Sequence, residues 1–176
     1  MRPAGTSSVV DAHGNPLRGS ADAAAIYDQA VDRLLRFDPA VIGLSERLTT
    51  EHPELAMGSV LAAYLCLTST DVADLAAART ARGALGAALN EREQAHAAVL
   101  DAWLAGDWHG TARTFDELLA RWPRDLLALQ VAHQVDFFIG DAAALRDRPG
   151  RALPELDPAH PHTGFVRGMQ AFGLEE

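Results

Sequence analysis

The chain has 176 residues, a length typical of one domain, and it is 48% hydrophobic and 22% charged, as in ordinary globular proteins. Its formal net charge is −9 and its 15 basic residues are scattered, so no basic stripe indicates nucleic-acid binding. All 15 are arginine, and the absence of lysine excludes a pyridoxal-phosphate enzyme and a Walker-A nucleotide site.

The single cysteine and the apolar segments bear on the compartment. Cys66 lies among apolar neighbours and has no partner for an intrachain disulfide, which favours a buried, inert thiol in a reducing cytoplasm. The first eight residues lack the apolar region of a signal peptide. The longest apolar run, Val60 to Leu67, is far shorter than the roughly 18 residues of a membrane span. We therefore expect a cytoplasmic protein without membrane segments.

The pattern along the chain predicts an arm followed by helices. Residues 1–20 are rich in Gly, Pro and Ser and are expected to form an extended N-terminal arm, and Ser20 is predicted to cap the first helix. Residues 21–176 are expected to form one helical domain. Apolar residues at helical spacing predict nine helices in it. Their approximate ranges are 22–37, 39–51, 54–68, 72–89, 91–105, 108–122, 124–139, 142–148 and 163–172.

The dipeptide Gly-Asp recurs at a fixed interval. Gly106-Asp107 and Gly140-Asp141 are 34 residues apart (140 − 106), which is the period of the tetratricopeptide repeat. With Gly106 at position 15 of the repeat, Phe115 and Pro123 occupy positions 24 and 32, where the repeat favours an aromatic residue and proline. Ala95 departs from the pattern because a tryptophan is usual there. The spacing predicts an all-α fold of stacked antiparallel helical hairpins, a tetratricopeptide-like superhelix.

Several segments together resemble the tetratricopeptide repeat protein 38 family. They are Asp11-x-x-Gly14-x-Pro16-Leu17, Met57-Gly58, Glu91-Arg92-Glu93-x-x-His96, Trp103-x-x-Gly106-Asp107, Phe138-x-Gly140-Asp141 and Met169-x-Ala171-Phe172-Gly173-Leu174-Glu175-Glu176. Ser59 departs from the family, in which a histidine is expected after Met57-Gly58. The resemblance implies the repeat fold and a helical domain that continues beyond residue 176 in a longer parent protein. It implies no activity, cofactor or catalytic residue.

The repeat register also predicts a binding surface. In such repeats, positions 2, 5, 9 and 12 of the first helix of each pair line a concave groove. These positions, together with the unusual histidine at position 8 of the second repeat, give the predicted groove residues: Glu93, His96, Leu100, Trp103, Leu127, Gln130, His133, Gln134 and Phe137. A mixed aromatic and polar groove is typical of peptide recognition. We therefore predict an interaction module for a protein or peptide segment, with no metal or cofactor.

An open C-terminal end of the stack offers a second surface, on which the chain would pair with another copy of itself. The remaining histidines near turns, His109, His160 and His162, are expected to be solvated.

A helical enzyme is the alternative to an interaction module. Glu93 and His96 lie three residues apart, hence on one helix face, and His133 occupies a position that is usually small and buried. A polar pocket around these three residues would support acid–base chemistry or a metal ion. The acid–base version requires Glu93 and His133 to lie within hydrogen-bond distance. The pattern favours the non-catalytic module and leaves the question of an enzyme open.

Overall fold

A computed structural model of the chain describes residues 8–69 and 71–176, so the first seven residues of the predicted arm lie outside the described residues. Nine α-helices make up most of this part, which confirms the all-α prediction. The helices are α1 Ala21–Leu35, α2 Ala40–Glu51, α3 Ala56–Thr68, α4 Leu75–Gly83, α5 Glu91–Leu104, α6 Trp108–Arg121, α7 Leu126–Ile139, α8 Ala142–Ala152 and α9 Thr163–Glu175. Short 3₁₀ segments, Val72–Asp74 and Leu153–Glu155, precede α4 and follow α8. None of these helices is both long and apolar enough to cross a membrane.

The described part of the N-terminal arm is a β-hairpin rather than an extended segment. Strand β1 (Ser8–Val10) pairs antiparallel with β2 (Pro16–Arg18). Leu17 in β2 is buried in the hydrophobic core, so the hairpin packs on the helical body. Three-residue strands are too short to show the alternation by which strands are recognised in a sequence. The prediction of an extended arm is therefore wrong for these residues.

The turn of this hairpin is built by a buried carboxylate. Oδ1 of Asp11 accepts the backbone N–H groups of His13 and Asn15, at 3.0 and 2.9 Å. Gly14 has a φ of 79°, in the left-handed region that favours glycine. The side-chain amide of Asn15 donates to the backbone oxygen of Arg124 at 3.1 Å, which fixes the hairpin against the segment before α7.

Five of the helices begin at a residue whose side-chain oxygen accepts a backbone N–H of the first helical turn. These N-cap residues are Ser20, Asn90, Asp107, Asp125 and Asp141. Caps of this kind contribute about 1 kcal/mol each to the free energy of unfolding. Asn90 and Glu93 form a capping box, because each side chain accepts the other residue's backbone N–H.

The two Gly-Asp dipeptides form the same turn. Gly106 and Gly140 have φ values of 81° and 73°, and each ends the first helix of a hairpin. The N–H of the following aspartate bonds to the carbonyl five residues earlier, at 3.1 Å for Asp107 and 2.9 Å for Asp141. Both aspartates then cap the next helix. The 34-residue period thus corresponds to a repeated backbone geometry.

A second pair of turns also repeats. His52, between α2 and α3, has φ −132° and ψ 54°, and Trp122, between α6 and α7, has φ −127° and ψ 70°. In both turns the residue's N–H bonds to the carbonyl four residues earlier, and its carbonyl accepts the N–H three residues later. The two residues are 70 positions apart (122 − 52), about two repeat lengths. The turns at His52 and Trp122 therefore share one backbone geometry.

The packing between hairpins closes the interior. Helix α3 packs against α5 and α7 as well as its sequence neighbours, and α7 also contacts α1. Most residues of α3 and α7 are buried, in agreement with their nearly uniform apolar sequences. The first helices of the hairpins thus surround a shared core rather than a wide open groove.

Three helix ends differ from the sequence-based ranges. Helix α4 ends at Gly83 instead of near Leu89, because Gly83 and Gly86 are unfavourable in a helix. Helix α8 continues to Ala152, with Pro149 inside it, and α9 continues to Glu175.

A close approach between α8 and α9 accompanies the internal proline. Pro149 has no N–H to donate to the carbonyl of Leu145, four residues earlier. Gly173 of α9 packs directly on this part of the α8 backbone, and a Cβ at Gly173 would overlap the carbonyl of Leu145 and the nitrogen of Arg146. The contact explains why a glycine occupies a helical position here.

Candidate functional site

Most of the predicted groove residues are buried in this structure. The buried ones are Glu93, His96, Leu100, Trp103, Leu127 and Gln130. Because α3 packs on both α5 and α7, the face that would line an open groove is covered, which corrects the groove assignment for these residues. His133 and Gln134 are partly buried, and Phe137 is exposed.

The residues of the alternative enzyme pocket do not come together. Oε2 of Glu93 accepts the backbone N–H of Asn90 at 2.8 Å, while Oε1 is buried and has no hydrogen-bond partner among the described residues. Nδ1 of His133 likewise has no hydrogen-bond partner within residues 8–69 and 71–176. Its ring packs edge-on against Phe172, 5.8 Å between centroids. No hydrogen bond between described residues joins Glu93 to His133. The acid–base pair that this alternative requires is therefore not formed.

His96 belongs instead to a buried polar network. Its Nε2 donates to Oδ2 of Asp125 at 2.9 Å, and its Nδ1 lies 2.9 Å from the hydroxyl of Tyr64. Nε of Arg92 donates to the same Oδ2 at 2.6 Å. Oδ1 of Asp125 accepts the N–H of Ala128 and thereby caps α7. The carboxylate of Asp125 thus connects α5 with α7, and His96 connects it further to Tyr64 of α3.

Arg92 extends this network to the N-terminal elements. Its guanidinium forms an ion pair with Oδ2 of Asp11 at 3.1 Å. It donates hydrogen bonds to the backbone oxygen of Pro16 and to the hydroxyl of Tyr27, both at 3.3 Å. Arg92 and Asp125 are almost completely buried. A buried charge is tolerated only when it is paired and hydrogen-bonded, and here each charged group meets that condition.

The electrostatics of the network keep it ionised. Burial alone would raise the pKa of Asp125, but Arg92 and His96 together hold it well below its usual range. Burial would lower the pKa of Arg92, and Asp125 and Tyr27 reverse that effect. Burial raises the pKa of Tyr64 well above its usual value. Because its members lie in the core and satisfy one another, we assign the network a structural role.

Four aromatic side chains are exposed to solvent, in contrast to the buried network. We use the name aromatic surface for Trp108, Phe137, Phe138 and Phe172, whose exposed fractions are 36%, 54%, 49% and 37%. The ring centroids of successive members, in the order Trp108, Phe138, Phe137, Phe172, are each 6.0 Å apart. Aromatic rings at this distance form favourable pairs and behave as one surface. Phe137 is the member that the repeat register predicted.

A cleft of about 290 Å³ adjoins the aromatic surface at Trp108. Its apolar wall includes Leu67, Val72, Leu75 and Trp103, with Arg79 at its edge. The Trp103 and Trp108 rings meet edge to face, with 5.5 Å between centroids. This volume is near the lower limit of about 300 Å³ for ligand pockets, which suits one or two side chains of a partner.

The other histidines are less solvated than expected. His109 is exposed, but His160 is partly buried and His162 is buried, so the expectation of solvated rings is wrong for the latter two. Burial, with Arg148 as a second cause, lowers the pKa of His133 to about 4.

Comparison with known proteins adds no assignment to these sites. No family model matches the sequence, and no solved structure matches the chain.

Proposed function

We propose that the chain is a tetratricopeptide-like interaction module and that its aromatic surface binds an apolar segment of a partner protein. The observation that carries the proposal is the exposure of four large aromatic side chains in one continuous row. Folded monomers rarely leave large contiguous apolar patches in water, and such patches commonly mark interaction sites. Aromatic residues are also enriched among the side chains that dominate binding energies.

The two repeated turn geometries support the repeat assignment. The Gly-Asp turns recur after 34 residues and the turns at His52 and Trp122 after 70, about two such periods. The resemblance to the tetratricopeptide repeat protein 38 family implies the same type of hairpin. The proposed binding surface differs from the concave groove, because the groove-facing side chains of α5 are inside the core.

The chemistry of the surface indicates its partner. An extended or helical segment with an aromatic or large aliphatic side chain would place that side chain in the cleft beside Trp108 and the neighbouring residues on the aromatic row. The formal charge of −9 opposes the approach of a second copy of the chain and favours a partner with neutral or basic residues beside its apolar anchor.

A peptide library displayed on phage tests the proposal. We expect selection against the wild-type chain to enrich peptides with a large apolar anchor and no acidic cluster. A selected peptide, synthesised and titrated by fluorescence anisotropy, should lose at least about tenfold in affinity for Phe137→Ala and for Phe172→Ala, because truncating a central aromatic contact costs more than about 1.4 kcal/mol.

Phe37→Ala is the matched control. Phe37 is 74% exposed and lies after α1, outside the aromatic surface, so its replacement should leave the affinity unchanged. Equal affinities for the wild type and for both variants of the aromatic surface would refute the proposal. If the chain formed a concentration-dependent dimer that Phe137→Ala abolished, the partner of the aromatic surface would be a second copy of the chain and not a peptide.

A further inference from the structure

Three histidines from distant parts of the sequence meet at one place. His13 lies in the turn between β1 and β2, while His160 and His162 lie in the loop before α9. The ring centroids are 4.5 Å apart for His13 and His160, 4.7 Å for His160 and His162, and 5.2 Å for His13 and His162. One ring nitrogen from each residue lies within 4.8 Å of the other two.

Hydrogen bonds orient two of the rings toward the centre of the cluster. Nε2 of His162 donates to Oδ1 of Asp32 at 3.1 Å, which leaves Nδ1 of His162 with a lone pair facing His13. Nε2 of His13 lies 2.9 Å from this Nδ1. Nδ1 of His160 accepts the backbone N–H of His162 at 3.2 Å, which leaves Nε2 of His160 for a ligand. The carboxylate of Asp32 has the position of the outer partner that metal-binding histidines usually have.

The geometry of the cluster suits a single metal ion. Each of the three rings offers one nitrogen, and these three nitrogens all lie within 4.8 Å of one another. A single divalent ion accepts a lone pair from all three rings. Three imidazole ligands with one remaining position are typical of zinc, and nitrogen ligands also bind cobalt, nickel and copper.

We propose that His13, His160 and His162 form a binding site for a divalent transition metal, Zn²⁺ by the chemistry of its ligands, which clamps the N-terminal hairpin to the start of α9. The ligands are separated by up to 149 residues in sequence, so the ion would close a long loop. A ligand that binds only the folded state raises its stability by mass action. Partial exposure of His13 and His160 provides access for the ion and for a water molecule in the fourth position.

Titration of the chain with Co²⁺, a zinc substitute with visible absorption, tests the site. The protein is produced without a polyhistidine tag and treated with chelator before the titration. We expect one equivalent of Co²⁺ to give the intense absorption of a four-coordinate site, and Zn²⁺ to displace it. Thermal unfolding should shift upward by about 5–10 °C at Zn²⁺ concentrations a hundredfold above the dissociation constant.

Variants locate the ion. His13 and His160 are partly exposed, so His13→Gln and His160→Gln should fold normally and abolish the absorption of bound Co²⁺. Asp32→Asn should weaken Zn²⁺ binding by about 10–100-fold. His109→Gln, an exposed histidine outside the cluster, is the control and should bind as the wild type does. Circular dichroism checks that every variant retains its helices. The absence of Co²⁺ binding at millimolar concentration, or full binding by both His13→Gln and His160→Gln, would overturn the proposal.

Discussion

The buried polar network around Arg92, which we call the Arg92 network, and the aromatic surface use their side chains in opposite ways. In the network, charged and polar groups are inside the protein and find all their main partners within the chain. On the aromatic surface, four large apolar rings remain in contact with water. Ionisable residues at unusual positions commonly attract a catalytic interpretation. In this protein the buried ionisable residues hold the helices together, and the exposed apolar residues are available for binding.

This comparison separates stability from binding. Each helix that Arg92 and Asp125 connect would lose a partner if the pair were broken, so a substitution there should act on folding. A substitution at Phe137 removes a side chain that is about half exposed, so folding should hardly change. The following changes test the separation, in order of their expected effect on the free energy of unfolding.

Removal of the Arg92 guanidinium should have the largest effect. Arg92→Met leaves the carboxylates of Asp11 and Asp125 buried without their main cation, which should lower the free energy of unfolding by about 3–5 kcal/mol. Arg47→Met is the control, because Arg47 forms an exposed pair with Glu51 at 3.2 Å worth less than about 1 kcal/mol. Urea unfolding followed by circular dichroism gives both values. Equal losses for the two variants would mean that the network has no special role.

Gly173→Ala tests the close contact of α8 and α9. The added methyl group would overlap the backbone near Leu145, so we expect a loss of about 1–3 kcal/mol in the free energy of unfolding. Gly168 lies in the same helix with no neighbouring atom within 4 Å of the added Cβ. Gly168→Ala should therefore stabilise the protein by up to about 1 kcal/mol. Thermal melts of the two variants should shift in opposite directions, and a shared direction would contradict the described packing.

His133 should give a smaller, pH-dependent effect. Its pKa is lowered to about 4 in the folded state, against about 6.5 when unfolded, so the unfolded chain binds more protons between these values. Stability from this residue is complete above pH 6.5 and decreases as the pH falls toward 4, by less than about 1.4 kcal/mol per pH unit because the ring is partly exposed. His133→Gln should have a flatter curve of unfolding free energy against pH. Parallel curves for the wild type and His133→Gln would show that His133 does not cause the pH dependence of the unfolding free energy.

Local features of the fold follow from the sequence because their causes are local. The turns at Gly106 and Gly140 and the capping box of Asn90 and Glu93 each depend on residues within one helical turn. Their geometry could therefore be predicted from the order of residue types, as could the helices of the described residues. The end of α8 could not, because the pattern ends the helix before Pro149, whereas the helix continues to Ala152 with Pro149 inside it.

The candidate sites depend on contacts that local patterns do not contain. The pairing of Arg92 with Asp125 spans 33 residues, and that of His13 with His162 spans 149. The register placed Phe137 on an accessible face, but it also placed His96 there, because it assumed an open stack. The packing of α7 against α1 and α3 closes the stack and buries that ring.

We propose that the aromatic surface serves binding and contributes little to the fold. The double variant Phe137→Ala and Phe172→Ala tests this when one preparation is measured for unfolding free energy and for affinity to a phage-selected peptide. We predict a stability within about 1 kcal/mol of the wild type, since both rings are partly solvated, and a loss of affinity of at least about a hundredfold. A large loss of unfolding free energy with an unchanged affinity for the peptide would contradict it, because the rings would then belong to the core and not to a binding site.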